Sequence, residues 1–177
     1  LGYTELPDPT PGPDDVVVEL AAAGLNYIDT YQRSGLYQVP LPYTPGLEGC
    51  GTITAVGEAA TGFAPGQRVA WTAVPGSYAE QVKVPTRAAV PVPDGVASDV
   101  AAATMLQGMT AHFLACDTFP LQPGDRCLIH AGAGGVGRIL IQIAKLRGAE
   151  VFTTVGNAEK AEAVKALGAD HVILYRD

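Results

Sequence analysis

The segment Ala131-Gly132-Ala133-Gly134-Gly135-Val136-Gly137 constrains this chain more than any other. Gly132, Gly134 and Gly137 have G-x-G-x-x-G spacing, a pattern that ordinary glycine loops also show, so its flanks decide what it means. Before it, Pro123-Gly124-Asp125 makes a turn into an apolar run over residues 126–131, which reads as a strand. After it, residues 136–147 read as a helix closed by Gly148. A strand, a glycine loop and a helix in that order form a dinucleotide-binding unit. Side chains in the loop would hold a pyrophosphate away from the backbone N–H groups, and the helix N-terminus adds partial positive charge. Gly132, Gly134, Gly135, Val136 and Gly137 are therefore candidate cofactor contacts.

The alternation continues. Residues 151–155 read as a second strand, Asn157 caps a helix with Ala161, Val164 and Leu167 on one face, and Gly168 ends it. Residues 171–175 make a third strand. Such a βαβαβ series predicts a parallel sheet. The end of the second strand selects the dinucleotide, because an NAD site places Asp or Glu about 20 residues beyond the loop, on the ribose 2′-OH. Gly156 stands 19 residues beyond Gly137, and Asn157 follows it. Neither would repel a 2′-phosphate. Lys160, one helical turn on, can pair with that phosphate or be a solvated lysine beside Glu159. NADPH is the expected cofactor, with Tyr175 beside the adenosine phosphate.

The first hundred residues have a different texture. Short β-rich runs at 16–20, 51–56, 67–71, 78–84 and 88–92, with Pro-Gly turns at 65–66 and 75–76, predict a small β-barrel. Residues 26–33 interrupt it with one or two helical turns. Ser98 begins a helix through Leu106, and a second helix is expected after Thr110. With 47% hydrophobic and 16% charged residues the chain can form a core and is not a disordered one. Its net charge of −7 argues against a nucleic-acid-coating surface. Cys50, Cys116 and Cys127 lack paired spacing, so reduced thiols are expected. No apolar run nears the ~18 residues of a membrane span, and no signal segment opens the chain. A cytoplasmic protein is expected, its natural N-terminus missing because Leu1 is not Met.

The segment Asn26-Tyr27-Ile28-Asp29-Thr30-Tyr31-Gln32-Arg33-Ser34-Gly35-Leu36-Tyr37 resembles the N-x-x-D-x-Y-x-R-x-G-x-Y segment of the zinc-free quinone oxidoreductases in the medium-chain dehydrogenase/reductase superfamily. Pro45-Gly46-Leu47-Glu48-Gly49-Cys50-Gly51, Leu106-Gln107-Gly108-Met109-Thr110-Ala111, the glycine loop, and Gly168-Ala169-Asp170-His171 with Tyr175 continue the likeness in order. Gly132 departs from it, since the family usually has Ala or Ser there; glycine is expected to widen the loop's freedom. The resemblance implies an α/β protein: a GroES-like barrel over residues 1–107, then the first half of a Rossmann doubly wound sheet over 108–177. Members of the family are about twice as long and homodimeric, so this chain is expected to be part of one.

The resemblance also implies chemistry. Zinc-dependent relatives hold their metal at positions matching Asn26, Leu47 and Leu106, none of which is a zinc ligand here. Asn26, Tyr31 and Tyr37 are expected to line the substrate site, and Thr110 to contact cofactor. Without a metal the acceptor must be electron-poor, as a quinone is. The leading expectation is an NADPH-dependent quinone reductase. The alternatives are an NADPH-dependent enal or enone reductase and a catalytically silent nucleotide-binding protein. No nucleic-acid or membrane partner is expected.

Overall fold

The computed structural model describes residues 1–176; Asp177, the end of the expected second domain, lies outside the described residues. The chain separates into two compact units, Leu1–Leu106 and Gln107 onward.

In the first unit β1 (Asp15–Gly24), β2 (Glu48–Val56), β3 (Arg68–Trp71), β4 (Gln81–Pro85) and β5 (Val90–Pro91) form one antiparallel sheet in the order β4-β1-β2-β3-β5. The β-branched run Val16-Val17-Val18 suits a strand buried on both faces. Val16 and Val18 pack with Ile53, Val69, Trp71, Val82 and Val84 in a single core. Register shifts at Val17/Val18 and Leu20/Ala22 mark bulges in β1, and bulges bend a strand and increase its twist. The chain leaves β1 into α1 (Tyr27–Ser34), with Asn26 as extended N-cap and Gly35, at φ +79°, as its left-handed terminator. Strand β4 begins at Gln81 rather than Tyr78. The reason lies just upstream: Ser77 and Tyr78 direct their N–H groups to the carbonyls of Gly46 and Pro45 instead of to a sheet ladder.

Two helices were expected between residues 98 and 118, but one α-helix, α2 (Ser98–His112), runs unbroken and passes into a π-helical turn, Phe113–Thr118. Gly108 costs only about 1 kcal/mol in a helix otherwise rich in Ala, Met and Leu, and no proline interrupts it. Ala101, Ala102 and Met105 of α2 pack against Cys50 and Ala70, so the Cys50 thiol is core.

In the second unit β6 (Arg126–Ile129), β7 (Glu150–Val155) and β8 (His171–Leu174) form the expected parallel sheet in sequence order, joined through α3 (Gly135–Leu146) and α4 (Ala158–Ala166). Gly137, Ile141 and Ala144 of α3, with Ala161 and Val164 of α4, are buried at helical spacing. Gly148 (φ +79°) and Gly168 (φ +101°) turn the chain after the two helices, as expected. Among the described residues no helix is long and apolar enough to cross a membrane.

Candidate functional site

In the first unit the site residues gather at the junction of β1, α1 and β2. Asn26 is buried where β1 gives way to α1. Its Nδ2 donates to Glu48 Oε1 at 2.7 Å, and the other oxygen of Glu48 accepts from Leu106 N at 2.6 Å. Asp29, one turn into α1, accepts through Oδ2 from Asn26 N (2.9 Å) and from the Tyr78 hydroxyl (2.8 Å), while its Oδ1 is buried without a partner. Burial, and then the carboxylates of Asp29 and Glu48, push the Tyr78 phenol well above its ordinary range, so Tyr78 is a fixed donor and not a proton source. The same two causes, burial first and the Asp29 charge second, raise Tyr43.

Tyr31 and Tyr37 stand with ring centroids 5.3 Å apart, and Tyr27 continues the series 5.7 Å from Tyr31. Tyr27 and Tyr37 are exposed and Tyr31 half-buried, so the three rings form an aromatic ledge following Asn26 in the chain. Tyr27 was not among the expected site residues. Its i, i+4 spacing to Tyr31 was the available signal.

In the second unit the candidate cofactor residues other than Thr110 lie at or just beyond the carboxyl ends of the parallel strands, where open α/β sheets bind ligands. The strand expected to run to Ala131 stops at Ile129. Ala131 is in the left-handed region at φ +53°, and its carbonyl accepts from Gly134 N at 2.8 Å. Thr154 straps this turn to β7, its Oγ1 accepting from Ala131 N (3.1 Å) and its carbonyl from Gly132 N (3.1 Å). A Cβ on Gly137 would stand 2.7 Å from both the Ala131 oxygen and the Gly132 Cα, so only glycine lets α3 start this close to the loop. A Cβ on Gly132 would overlap the hydroxyl of fully buried Thr153, which donates to Ile129 O at 2.8 Å. Glycine at 132 therefore makes room for a neighbour. A Cβ on Gly135 would overlap the Gln107 carboxamide.

These residues fit a dinucleotide pyrophosphate. Gly134 is the N-cap of α3 and, being glycine, brings no side chain of its own to that end. The N–H groups of Gly135, Val136 and Gly137 occupy the first turn, where the helix has no carbonyl to offer them. At the end of β7 the position often acidic in NAD sites is Gly156, where a Cβ would meet the Tyr175 hydroxyl at 2.9 Å and Arg176 Nε at 3.6 Å. Sequence reasoning named Tyr175 and passed over Arg176, although it follows directly. Asn157 Oδ1 accepts from Lys160 N at 2.9 Å, so this side chain caps α4, while Lys160 itself is exposed. Thr110 lies near the C-terminal end of α2. Among the described residues no group of three or more His, Cys, Asp or Glu side chains is placed to hold a metal ion.

Comparison with known proteins agrees with this architecture. Residues 12–94 match the family model of the alcohol dehydrogenase GroES-like domain, and residues 135–177 that of the zinc-binding dehydrogenases. The chain is 43% identical to a Pseudomonas aeruginosa quinone oxidoreductase over 99% of its own length and 54% of that protein's. It is 41% identical to a probable quinone oxidoreductase of Schizosaccharomyces pombe, over 96% of this chain and 52% of the relative. The crystal structure of Escherichia coli quinone oxidoreductase complexed with NADPH superposes with a TM-score of 0.96 at 38% identity, covering 98% of this chain and 54% of that one. The chain thus spans about half the length of the curated relatives it matches. Its β-unit is a GroES-like domain, and its three parallel strands are part of a Rossmann sheet. The chain belongs to the quinone oxidoreductase family of the medium-chain dehydrogenase/reductase superfamily.

Proposed function

We propose that the complete protein is an NADPH-dependent quinone reductase working without zinc, with residues 1–107 as its substrate domain and 108–177 as the first half of its cofactor domain. One observation carries the reading. The N-terminus of α3, with glycine as its N-cap, follows a glycine loop, and β7 is followed by Gly156, beside the Tyr175 hydroxyl and the Arg176 guanidinium, instead of by a carboxylate.

In this reading the first-turn N–H groups of Gly135, Val136 and Gly137 hold the pyrophosphate. Gly132 and Gly134 keep the loop low enough for that approach. Gly156 leaves room for the ribose, and Lys160, Tyr175 and Arg176 receive its 2′-phosphate. Asn157 shapes that corner by capping α4, and Thr110 adds a hydroxyl contact to the cofactor. NADPH, once bound, supplies the hydride. Asn26, Tyr31 and Tyr37 line the acceptor site, where the tyrosine rings lie against a planar acceptor and their hydroxyls donate to the oxygen on which negative charge develops.

The test uses the full-length protein. Oxidation of NADPH is followed with 1,4-benzoquinone and, separately, with a simple enone, alongside NADPH and NADH dissociation constants. Quinone-dependent oxidation with tighter NADPH binding is expected. Turnover of the enone alone identifies an activated-alkene reductase. NADPH binding with neither turnover identifies a silent nucleotide-binding protein.

A further inference from the structure

Glu48 is a buried carboxylate that the chemistry above does not use. Its side chain is fully buried, and among the described residues no lysine or arginine lies within ion-pair distance of it. Burying an acid without a cation is costly unless hydrogen bonds replace its water. Here the fold replaces it with two donors, Asn26 Nδ2 at 2.7 Å on one oxygen and Leu106 N at 2.6 Å on the other. The fold also makes room for it. Gly24 is the register partner of Glu48 across β1 and β2, and a Cβ on Gly24 would overlap the Glu48 carboxyl group. A glycine opposite and a donor on each oxygen make a seat for a carboxylate at this position.

We propose that Glu48 is a positioning residue that, with the capping box of α1, fixes which end of the Asn26 amide is turned toward it. The inference rests on the reading of Asn26 as a ligand-lining residue. An ionised carboxylate only accepts hydrogen bonds, so it selects the NH2 end of Asn26 and repels the carbonyl end. The Asn26 carbonyl oxygen is thereby turned away from Glu48, and the negative charge beside the NH2 group polarises the amide toward its oxygen. Two of the three positions where zinc-dependent relatives hold a metal, Asn26 and Leu106, converge here on one carboxylate.

Glu48→Gln in the full-length protein is the discriminating change, because it conserves shape. The Leu106 N–H is fixed in a helix and claims the single carbonyl of Gln. The new NH2 group then faces Asn26, whose amide must turn over. The expected result is a fall in kcat/KM on the order of 10-fold or more, since small misplacements at a site are this costly. In the ligand-free protein, the Asn26 side-chain NH2 resonances are expected to lose the downfield shift of a proton bonded to carboxylate. The reversed pair Asn26→Asp with Glu48→Gln restores donor to acceptor across the contact with net charge unchanged. It is expected to exceed either single variant in kcat/KM. Turnover of Glu48→Gln within twofold of the parent, unchanged Asn26 resonances, or a double variant no better than the singles each overturn the proposal. Should Glu48→Gln not fold, the reversed pair decides alone, and its failure to fold or turn over counts against the proposal. The resonances judge Glu48 without any substrate, so a parent protein that reduces no quinone would sink the functional reading and leave this test standing.

Discussion

At the scale of single residues, the proposed cofactor site is tested at the corner after β7. Lys160→Ala and Arg176→Ala are each expected to weaken NADPH more than NADH, because only NADPH carries the extra phosphate. A lost charge-assisted hydrogen bond corresponds to roughly 1.5–3 kcal/mol in the NADPH dissociation constant alone. Equal losses for both cofactors would remove the assignment. Gly132 offers a second test. Gly132→Ala should destabilise the protein by about 1–3 kcal/mol through overlap with the Thr153 hydroxyl. Thr153→Ala in the same chain should recover much of that loss, and a thermodynamic cycle by denaturant titration reads the coupling. Asn26, Leu47 and Leu106 are the basis for expecting metal independence. Elemental analysis of the full-length protein should find zinc well below stoichiometry, and chelators should leave turnover intact.

At the scale of elements, Asp170, just before β8, joins the end of α3 to the start of β7. Lys145 Nζ lies 2.7 Å from Asp170 Oδ2, which also accepts from Val151 N at 2.7 Å. The lysine first, and the backbone N–H second, hold the Asp170 carboxyl below its ordinary range. A depressed carboxylate contributes stability above its unfolded pKa of about 3.9, and loses it as the pH falls through the lower folded value. Asp170→Asn is therefore expected to lower Tm at neutral pH, and the gap to the parent should close on acidification below about pH 4. A gap constant across the acid range would show that the ion pair contributes nothing. The pair is about one-third exposed, so solvent screens it and the effect is modest. The last helix of this unit was legible because Ala161, Val164 and Leu167 recur at helical spacing before the Gly168 stop. The continuity of α2 through Gly108 was not, because a single glycine weakens a helix without deciding where it ends.

At the scale of the whole molecule, the parallel sheet ends at β6 on one side and β8 on the other. On the β8 side His171 and Ile173 are exposed. The β6 side carries a further apolar surface: Leu114, Phe119 and Leu128 are exposed around a hollow of about 120 Å³ that Leu121 and Cys127 also line. Residues 1–177 expressed alone are expected to self-associate at micromolar concentration, as unpaired strand edges do. Leu128→Lys should reduce that association in sedimentation velocity. The same polypeptide should lack normal quinone reductase activity, because three strands build only half of a dinucleotide site. Turnover comparable to the full-length protein would show the site already complete.

The sequence alone determined the class of fold and the place of the glycine loop. Strand and helix periodicity, turn glycines and the missing acid after β7 act over a few residues, and such local rules can be read from neighbours in the chain. Only the tertiary structure decided that Glu48 joins Asn26 to Leu106, residues 22 and 58 positions away from it. It likewise decided that Thr153 fills the space of a Gly132 side chain and that Arg176 reaches Gly156. These contacts join residues on different strands, helices and loops, which hydrophobic burial summed over each unit brings together.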